Sequence, residues 1–321
     1  MIPDSTLTDV FLADVARDLQ QHPKQLQARY LYDALGSSLF DAICRLPWYR
    51  IARAEAALLQ AHAREIATSL SAWNRPPFEP TVVELGCGNG EKLAVVLSAL
   101  PDVDVHLIDI SVDALQTTTA RLSRLSQVTV SVYETTYEAG LDRIGPLLRG
   151  RGGTLVMFLG SNIGNFDPQG AESLLKSIRR AVEPGSLVLL GADLVKPEAE
   201  LILAYDDPLG VTAAFNKNLL VRINRELGAD FDLAAFAHRA IWNAAEQRIE
   251  MHLVSLTSQE VRLAAAGVRV RFEAGETIWT ESSYKYTEAT IAALGRDAGF
   301  APSRQWIDRE AAFALTLFEA A

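Results

Sequence analysis

The alternation of apolar and polar residues divides the chain into stretches of different period. Apolar spacing of three and four residues predicts helices over 7–20 and 53–72. Between them, residues 30–40 and the run Leu46-Pro47-Trp48-Tyr49 are rich in aromatic residues and broken by glycine and proline. The segment 74–80, with three prolines, reads as a linker. Short apolar runs then alternate with helical stretches, and strands are expected over 81–85, 105–110, 128–133, 154–159 and 186–190. This βαβα order predicts an α/β fold with a parallel, doubly wound sheet and ligands at the carboxyl ends of its strands. The loop 86–90, Asp109, Thr136 and Asn165 all fall at those ends.

After Lys196-Pro197 the pattern changes. Residues 198–228 read as helical, and 248–256, 268–272 and 277–286 as strands, the last alternating with period two. A helix over 288–299 and a closing strand over 313–318 follow. The expected division is a sheet domain of 57–197 with 286–321, and a second, smaller α+β domain of 1–56 with 198–285.

Composition narrows the function. The chain of 321 residues, 49% hydrophobic and 22% charged, is long enough to bury a sizeable core. A net charge of −10, without Lys/Arg clusters interleaved with aromatics, argues against a nucleic-acid partner and favours a small-molecule substrate. Two cysteines, Cys44 and Cys87, make no disulfide framework and fit a reducing compartment, so a cytoplasmic location is expected. The N-terminus, with Asp4 and Asp9, lacks the basic and apolar regions of a signal peptide. No apolar run approaches the roughly 18 residues that would cross a membrane. The five histidines are scattered without metal-ligand spacing, so no metal is expected. No extended apolar patch is evident in the sequence, so a monomer is expected.

The most informative segment is Thr81-Val82-Val83-Glu84-Leu85-Gly86-Cys87-Gly88-Asn89-Gly90-Glu91-Lys92. It reads as a strand, a tight turn and a helix start, with glycines that let a ligand approach the backbone. The spacing of Gly86, Gly88 and Gly90 is G-x-G-x-G rather than the dinucleotide fingerprint G-x-G-x-x-G. The early acid Glu84 is also out of place beside a pyrophosphate. Together these favour S-adenosylmethionine, leaving S-adenosylhomocysteine, over NAD. Asp109, 19 positions after Gly90, suits a ribose diol, although a strand-end cap has the same signature. The loop Gly160-Ser161-Asn162-Ile163-Gly164-Asn165-Phe166 is dense in hydrogen-bonding groups. Asn165 suits an amino-acid zwitterion, but a turn asparagine is more often structural. Glu281 and Ser283 share one face of a strand. With Met251, which alternates with Ile249 and Leu253, they can hold a flat ring such as imidazole. Taken alone, Met251 also reads as core and Glu281 as a solvated strand residue.

Several segments resemble a known family, the histidine-specific Nα-methyltransferases of ergothioneine biosynthesis. They are Tyr32-Asp33-Ala34-Leu35-Gly36-Ser37, Leu46-Pro47-Trp48-Tyr49, Phe158-Leu159-Gly160-Ser161-Asn162-Ile163-Gly164-Asn165, Gly191-Ala192-Asp193-Leu194-Val195-Lys196 and Ala204-Tyr205-Asp206-Asp207. Gly210-Val211-Thr212-Ala213-Ala214-Phe215-Asn216 and Asn224-Arg225-Glu226-Leu227 extend the likeness over nearly the whole chain. The resemblance implies a Rossmann-like class I methyltransferase sheet with a smaller α+β substrate domain. It implies that Asn165 and Tyr205 hold the substrate carboxylate, and that Tyr32 and Tyr49, with Phe215 nearby, surround the reacting amine. It implies that Glu281 and Ser283 recognise the imidazole, with Met251 beside it. The cofactor would meet Glu84, Gly86, Gly88, Gly90, Lys92, Asp109, Thr136, Tyr137 and Gly160. The chain departs from the family pattern at Thr136-Tyr137, where Asp-Phe is frequent, and at Tyr49-Arg50, where a Tyr-Tyr pair is usual.

The expected reaction is therefore three methyl transfers to the α-amine of L-histidine, giving hercynine. The alternatives are the same chemistry on another aromatic amino acid or a histidine derivative, and a non-catalytic S-adenosylmethionine-binding protein. An NAD oxidoreductase fits worse, for want of the glycine spacing and of a Tyr-x-x-x-Lys pair.

Overall fold

A computed structural model describes residues 5–71, 80–150 and 153–321. The expected linker, apart from Pro80, lies outside the described residues, as does Asp4 of the N-terminal reading. In chain order, helix α1 (Ser5–Asp18), the short strand β1 (Lys24–Gln25) and α2 (Ala34–Ile43) come first. There follow α3 (Ile51–Ser71), β2 (Thr81–Leu85), α4 (Glu91–Leu97), β3 (Val103–Asp109), α5 (Val112–Leu122) and β4 (Val128–Glu134). Next are α6 (Tyr137–Leu148), β5 (Thr154–Phe158), α7 (Pro168–Ala181) and β6 (Leu187–Asp193). Helices α8 (Glu198–Tyr205) and α9 (Val211–Leu227) precede β7 (Phe236–Asn243), β8 (Arg248–Ser255), β9 (Gln259–Leu263), β10 (Val268–Phe272) and β11 (Thr277–Tyr284). The chain closes with α10 (Glu288–Asp297), β12 (Phe300–Asp308) and β13 (Phe313–Ala320).

Two compact units result. The first comprises residues up to Arg50 and Lys196–Ser283, the second Ile51–Val195 and Tyr284–Ala321. The whole of α3 lies in the second unit.

The second unit is built on a seven-stranded sheet of order β12-β13-β6-β5-β2-β3-β4. Its apolar strands alternate between two cores, as a period of two requires. Val83, Leu85, Val156, Phe158, Val188 and Leu190 point to one face, beneath α6, α7 and α10. Val82, Leu155, Met157, Leu187 and Leu189 point to the other, beneath α3, α4 and α5. Strands β2 to β6 are parallel, but β13 pairs antiparallel with β6, and β12 with β13. The sheet is therefore mixed: the expected parallel, doubly wound part runs over β2 to β6, and the last two strands complete it antiparallel. The turn from Asp308 to Phe313 is far too short for the crossover of a dozen or so residues that a parallel pair needs. Strand β12 carries no apolar run, which is why periodicity does not reveal it. It is an edge strand, largely solvated, with an irregularity at Pro302.

The first unit holds a four-stranded sheet, β1-β11-β8-β7, and a β9–β10 hairpin. The single helix expected over 198–228 is two helices. Pro208 and Gly210 interrupt it, and the Asp207 carboxylate accepts the amides of Leu209, Val211 and Thr212, capping α9. Those hydrogen bonds hold the Asp207 carboxyl below its ordinary value, although burial opposes them. Among the described residues, no helix is long and apolar enough to cross a membrane.

Candidate active site

In the second unit, the candidate residues fall at the carboxyl ends of β2, β3, β4 and β5. Strand β2 ends at Leu85, and the loop beyond it has Gly86, Gly88 and Gly90 at φ of 79°, 51° and 72°. At Gly86 a Cβ would stand 2.7 Å from Tyr137 Oη and 3.0 Å from Asn162 Nδ2. At Gly88 a Cβ would meet nothing within 4 Å. The first glycine is needed for close packing, and the second opens the backbone to a ligand. Helix α5 braces the loop: Thr118 Oγ1 donates to the Gly88 carbonyl (3.1 Å) and Arg121 Nε to that of Asn89 (2.8 Å). Neither α5 residue stands out in the sequence, since each is an ordinary polar position on a helix.

Asp109 ends β3 and is itself held: its Oδ2 accepts the Cys87 amide at 2.9 Å and its Oδ1 the Ser111 amide at 2.8 Å. Burial pushes its carboxyl up, against the pull of these hydrogen bonds. Each carboxylate oxygen has a second lone pair, so these bonds fix the group without exhausting it. Burial raises the Cys87 thiol far above its ordinary value, so this cysteine is not a nucleophile. Glu84 is 3% exposed, and among the described residues its Oε2 has no hydrogen-bond partner. Burial keeps its carboxyl well above the usual range, with the Lys92 charge opposing and the Glu55 and Asp109 charges reinforcing. A partnerless buried oxygen beside an open, glycine-lined backbone fits a ligand with polar and cationic groups, as S-adenosylmethionine has.

Thr136 is exposed and serves as the N-cap of α6, accepting the Ala139 amide at 3.4 Å. The Tyr137 ring packs edge-on against Phe158 at 5.4 Å and beside Phe166 at 6.4 Å, which sends its hydroxyl to Gly86. Burial drives this phenol far above its ordinary value, so it stays protonated. Beyond β5, Gly160 (φ 77°) and Ser161 (φ 57°) are both left-handed. Ser161 is held there by its Oγ, which accepts the Asp193 amide at 2.9 Å. Asp193 is in turn paired with Lys285 at 3.0 Å, both side chains fully buried. Asn165 closes the following 3-10 turn and is exposed. Asn162, not singled out in the sequence, is the asparagine that lies beside Gly86 and Gly160.

The first unit brings together five aromatic rings. Tyr32 meets Phe215 at 5.5 Å and Phe40 at 5.6 Å, Phe40 meets Phe215 at 5.9 Å and Tyr49 at 6.2 Å, and Tyr49 meets Tyr205 at 6.0 Å. Phe40 carries no distinguishing signal in the sequence beyond lying in the same aromatic stretch as Tyr32. Tyr32 is set by its neighbour Asp33, which caps α2 through the Gly36 amide and binds Asn218 and Arg225 of α9. The Tyr205 hydroxyl lies 2.9 Å from Ser283 Oγ, both groups buried. Glu281, two residues before Ser283 on β11, is partly buried, and Met251 on neighbouring β8 is 2% exposed. The two strands are stitched by Thr280 Oγ1 donating to the Met251 carbonyl (2.9 Å).

His238, another residue the sequence did not flag, supports Tyr205 from behind. Its Nε2 lies 2.8 Å from the Tyr205 carbonyl and its Nδ1 2.9 Å from Asn216 Nδ2. Nε2 therefore carries the proton and Nδ1 accepts. Among the described residues, no group of three or more His, Cys, Asp or Glu is placed to hold a metal ion.

Against known proteins, residues 11–320 match a family described as "histidine-specific methyltransferase, SAM-dependent". The chain is 40% identical over 309 residues to a histidine N-alpha-methyltransferase of Mycolicibacterium smegmatis, covering 95% of this chain and 93% of that protein. It is 41% identical over 316 residues to the histidine N-alpha-methyltransferase of Mycobacterium tuberculosis, with the same coverage. It is 30% identical over 278 residues to the ergothioneine biosynthesis protein 1 of Schizosaccharomyces pombe, covering 82% of this chain and 35% of that longer protein.

Proposed function

Because this chain belongs to the histidine-specific, S-adenosylmethionine-dependent methyltransferase family, we propose that it methylates the α-amine of L-histidine three times, giving hercynine on the way to ergothioneine. The observation that carries this reading is the near-full-length match to the two mycobacterial histidine enzymes.

When bound, S-adenosylmethionine supplies a methyl group on a sulfonium already activated for displacement. The work left to the chain is binding and alignment. In this reading the loop 86–90 and Asp109 hold the nucleoside, while Lys92, Gly160 and Glu84 hold its amino-acid end. Thr136 and Tyr137 line the adenine side. Tyr205 and Asn165 hold the carboxylate of histidine. Glu281 and Ser283 bond the imidazole nitrogens, and the Met251 thioether packs on the ring. The Tyr32 hydroxyl orients the neutral amine, whose proton leaves by that hydroxyl to water. Tyr49 and Phe215 present ring faces to the cation that grows with each methyl group. No strong general base is required, because an amine's lone pair is available once it is deprotonated.

The test is mass spectrometry of purified protein incubated with S-adenosylmethionine and a panel of L-amino acids. Three methyl groups on histidine alone are expected. Methylation of a different amino acid overturns the side-chain pocket of Glu281, Ser283 and Met251, and no methylation overturns the reading as a whole.

The proposal also takes the protein to be a monomer in the cytoplasm, acting on a small molecule rather than on nucleic acid or a membrane. The presence of only two cysteines fits the cytoplasm, and the net charge of −10 argues against a nucleic-acid partner. Light scattering of the purified protein checks the monomer.

A further inference from the structure

Glu55, on the second turn of α3, has no part in the roles above, yet it is 0% exposed. Its two oxygens stand 2.8 and 2.9 Å from the Gly160 amide nitrogen, which donates to them, and Oε2 also receives the Lys92 ammonium. A carboxylate is taken out of water at high cost unless it is paired and hydrogen-bonded, and here both conditions are met. The neighbouring strand is cut away to admit it. Gly191 of β6 is not at positive φ, so its backbone does not demand glycine, but a Cβ there would stand 1.9 Å from Glu55 Oε1. Glycine at 191 is thus a matter of room for this carboxylate.

The two groups that Glu55 grips also lie side by side. A Cβ on Gly160 would stand 3.4 Å from Lys92 Nζ. Lys92 keeps 31% of its side chain exposed while its partner keeps none, so a fully buried carboxylate anchors a lysine that still reaches the surface. The flexible four-carbon stem of a lysine loses rotamer freedom whenever its ammonium binds a ligand. An anchor that fixes the ammonium beforehand removes that cost from ligand binding.

We propose that Glu55 is a positioning residue for the methyl donor: by holding the Lys92 ammonium and, through its amide, the backbone at Gly160, it fixes the place of both for the amino-acid end of S-adenosylmethionine, and so makes the site selective for donors that carry that end. This rests on the reading of Lys92 and Gly160 as donor-binding residues. Glu55 acts through these two groups and touches neither the reacting methyl nor the substrate amine.

The test compares two ligands by calorimetry on the full chain: S-adenosylmethionine, and 5′-methylthioadenosine, which keeps adenosine and sulfur but lacks the amino-acid end. In Glu55→Gln the first is expected to bind about tenfold more weakly and the second unchanged. KM for the donor rises with kcat at saturation nearly constant. Glu55→Asp, which retains the charge but withdraws it by one methylene, is expected to show the same selective loss and carries the test if Glu55→Gln does not fold. Equal weakening of both ligands, or weakening of neither, overturns the proposal. A wild-type protein that binds the two ligands equally well overturns instead the underlying assignment of Lys92 and Gly160.

Discussion

The hydroxyl of Tyr205, at the last residue of helix α8, lies 2.9 Å from Ser283 Oγ on strand β11, 78 residues further along the chain. Each side chain fixes the other in a buried place, so the position of one candidate substrate-binding group depends on the other. Tyr205→Phe keeps the ring contact with Tyr49 but leaves the Ser283 hydroxyl with one partner fewer. The expected result is a KM for histidine about tenfold higher and a loss of about 1 kcal/mol in stability. Steady-state kinetics and a urea titration check both, and an unchanged KM would remove Tyr205 from substrate binding.

Tyr32 separates ring from hydroxyl. Its ring contacts to Phe40 and Phe215 survive in Tyr32→Phe, so the aromatic cluster keeps its packing. Loss of the orienting hydroxyl should lower kcat about tenfold, because a misaligned amine forfeits part of the gain from positioning. Equal kcat in the two proteins counts against the role given to the hydroxyl.

Glu281 is partly buried on β11, the strand between β1 and β8. Glu281→Ala is expected to lower kcat/KM for histidine at least about a hundredfold, since a site built to bond an N–H suffers when that bond is unmade. Activity towards tryptophan should fall much less. Competition between the two amino acids, read by mass spectrometry, measures the change in preference.

His238 gives stability a pH dependence. Burial lowers its folded-state pKa below the ordinary 6.5, with the Tyr205 carbonyl, Asp206 and Asp207 opposing and Lys217 assisting. His252 is lowered in the same direction, chiefly by burial and against Glu250. Between the folded and ordinary values the unfolded chain binds more protons. The contribution is therefore complete above the ordinary value and is lost as pH falls below it, through the folded pKa. Denaturation midpoints measured from about pH 8 to about pH 5 should decline below roughly pH 6.5, and in His238→Gln the decline should be shallower. Protonation of Nδ1 also breaks the bond from Asn216, which loosens the support of Tyr205, so KM for histidine should rise over the same interval.

Much of this protein is legible in its residues because the signals are local. The runs over β2, β5 and β6 are apolar on both faces, as buried parallel strands must be, and the glycines of 86–90 mark a turn whose backbone only glycine adopts freely. The loop, Asp109 at a strand end and the aromatic stretch around Tyr32 each follow from residue type and short spacing. The pairing of β13 against β6, the polar edge strand β12 and the break at Pro208 between α8 and α9 depend on what each segment packs against. Periodicity carries no record of that.

The supporting residues divide in the same way. Most of the elements and the loop chemistry were legible in the sequence alone, and family resemblance supplied the candidate site residues. Only the tertiary structure decided that Glu55 reaches Gly160 across 105 positions, that His238 stands behind Tyr205, that Phe40 joins the aromatic cluster, and that Asn162 faces the glycine loop. A glutamate on an ordinary helix looks the same in sequence whether it faces water or a buried lysine. What distinguishes it is the space left by Gly191 and the charge of Lys92, and folding alone brings these together.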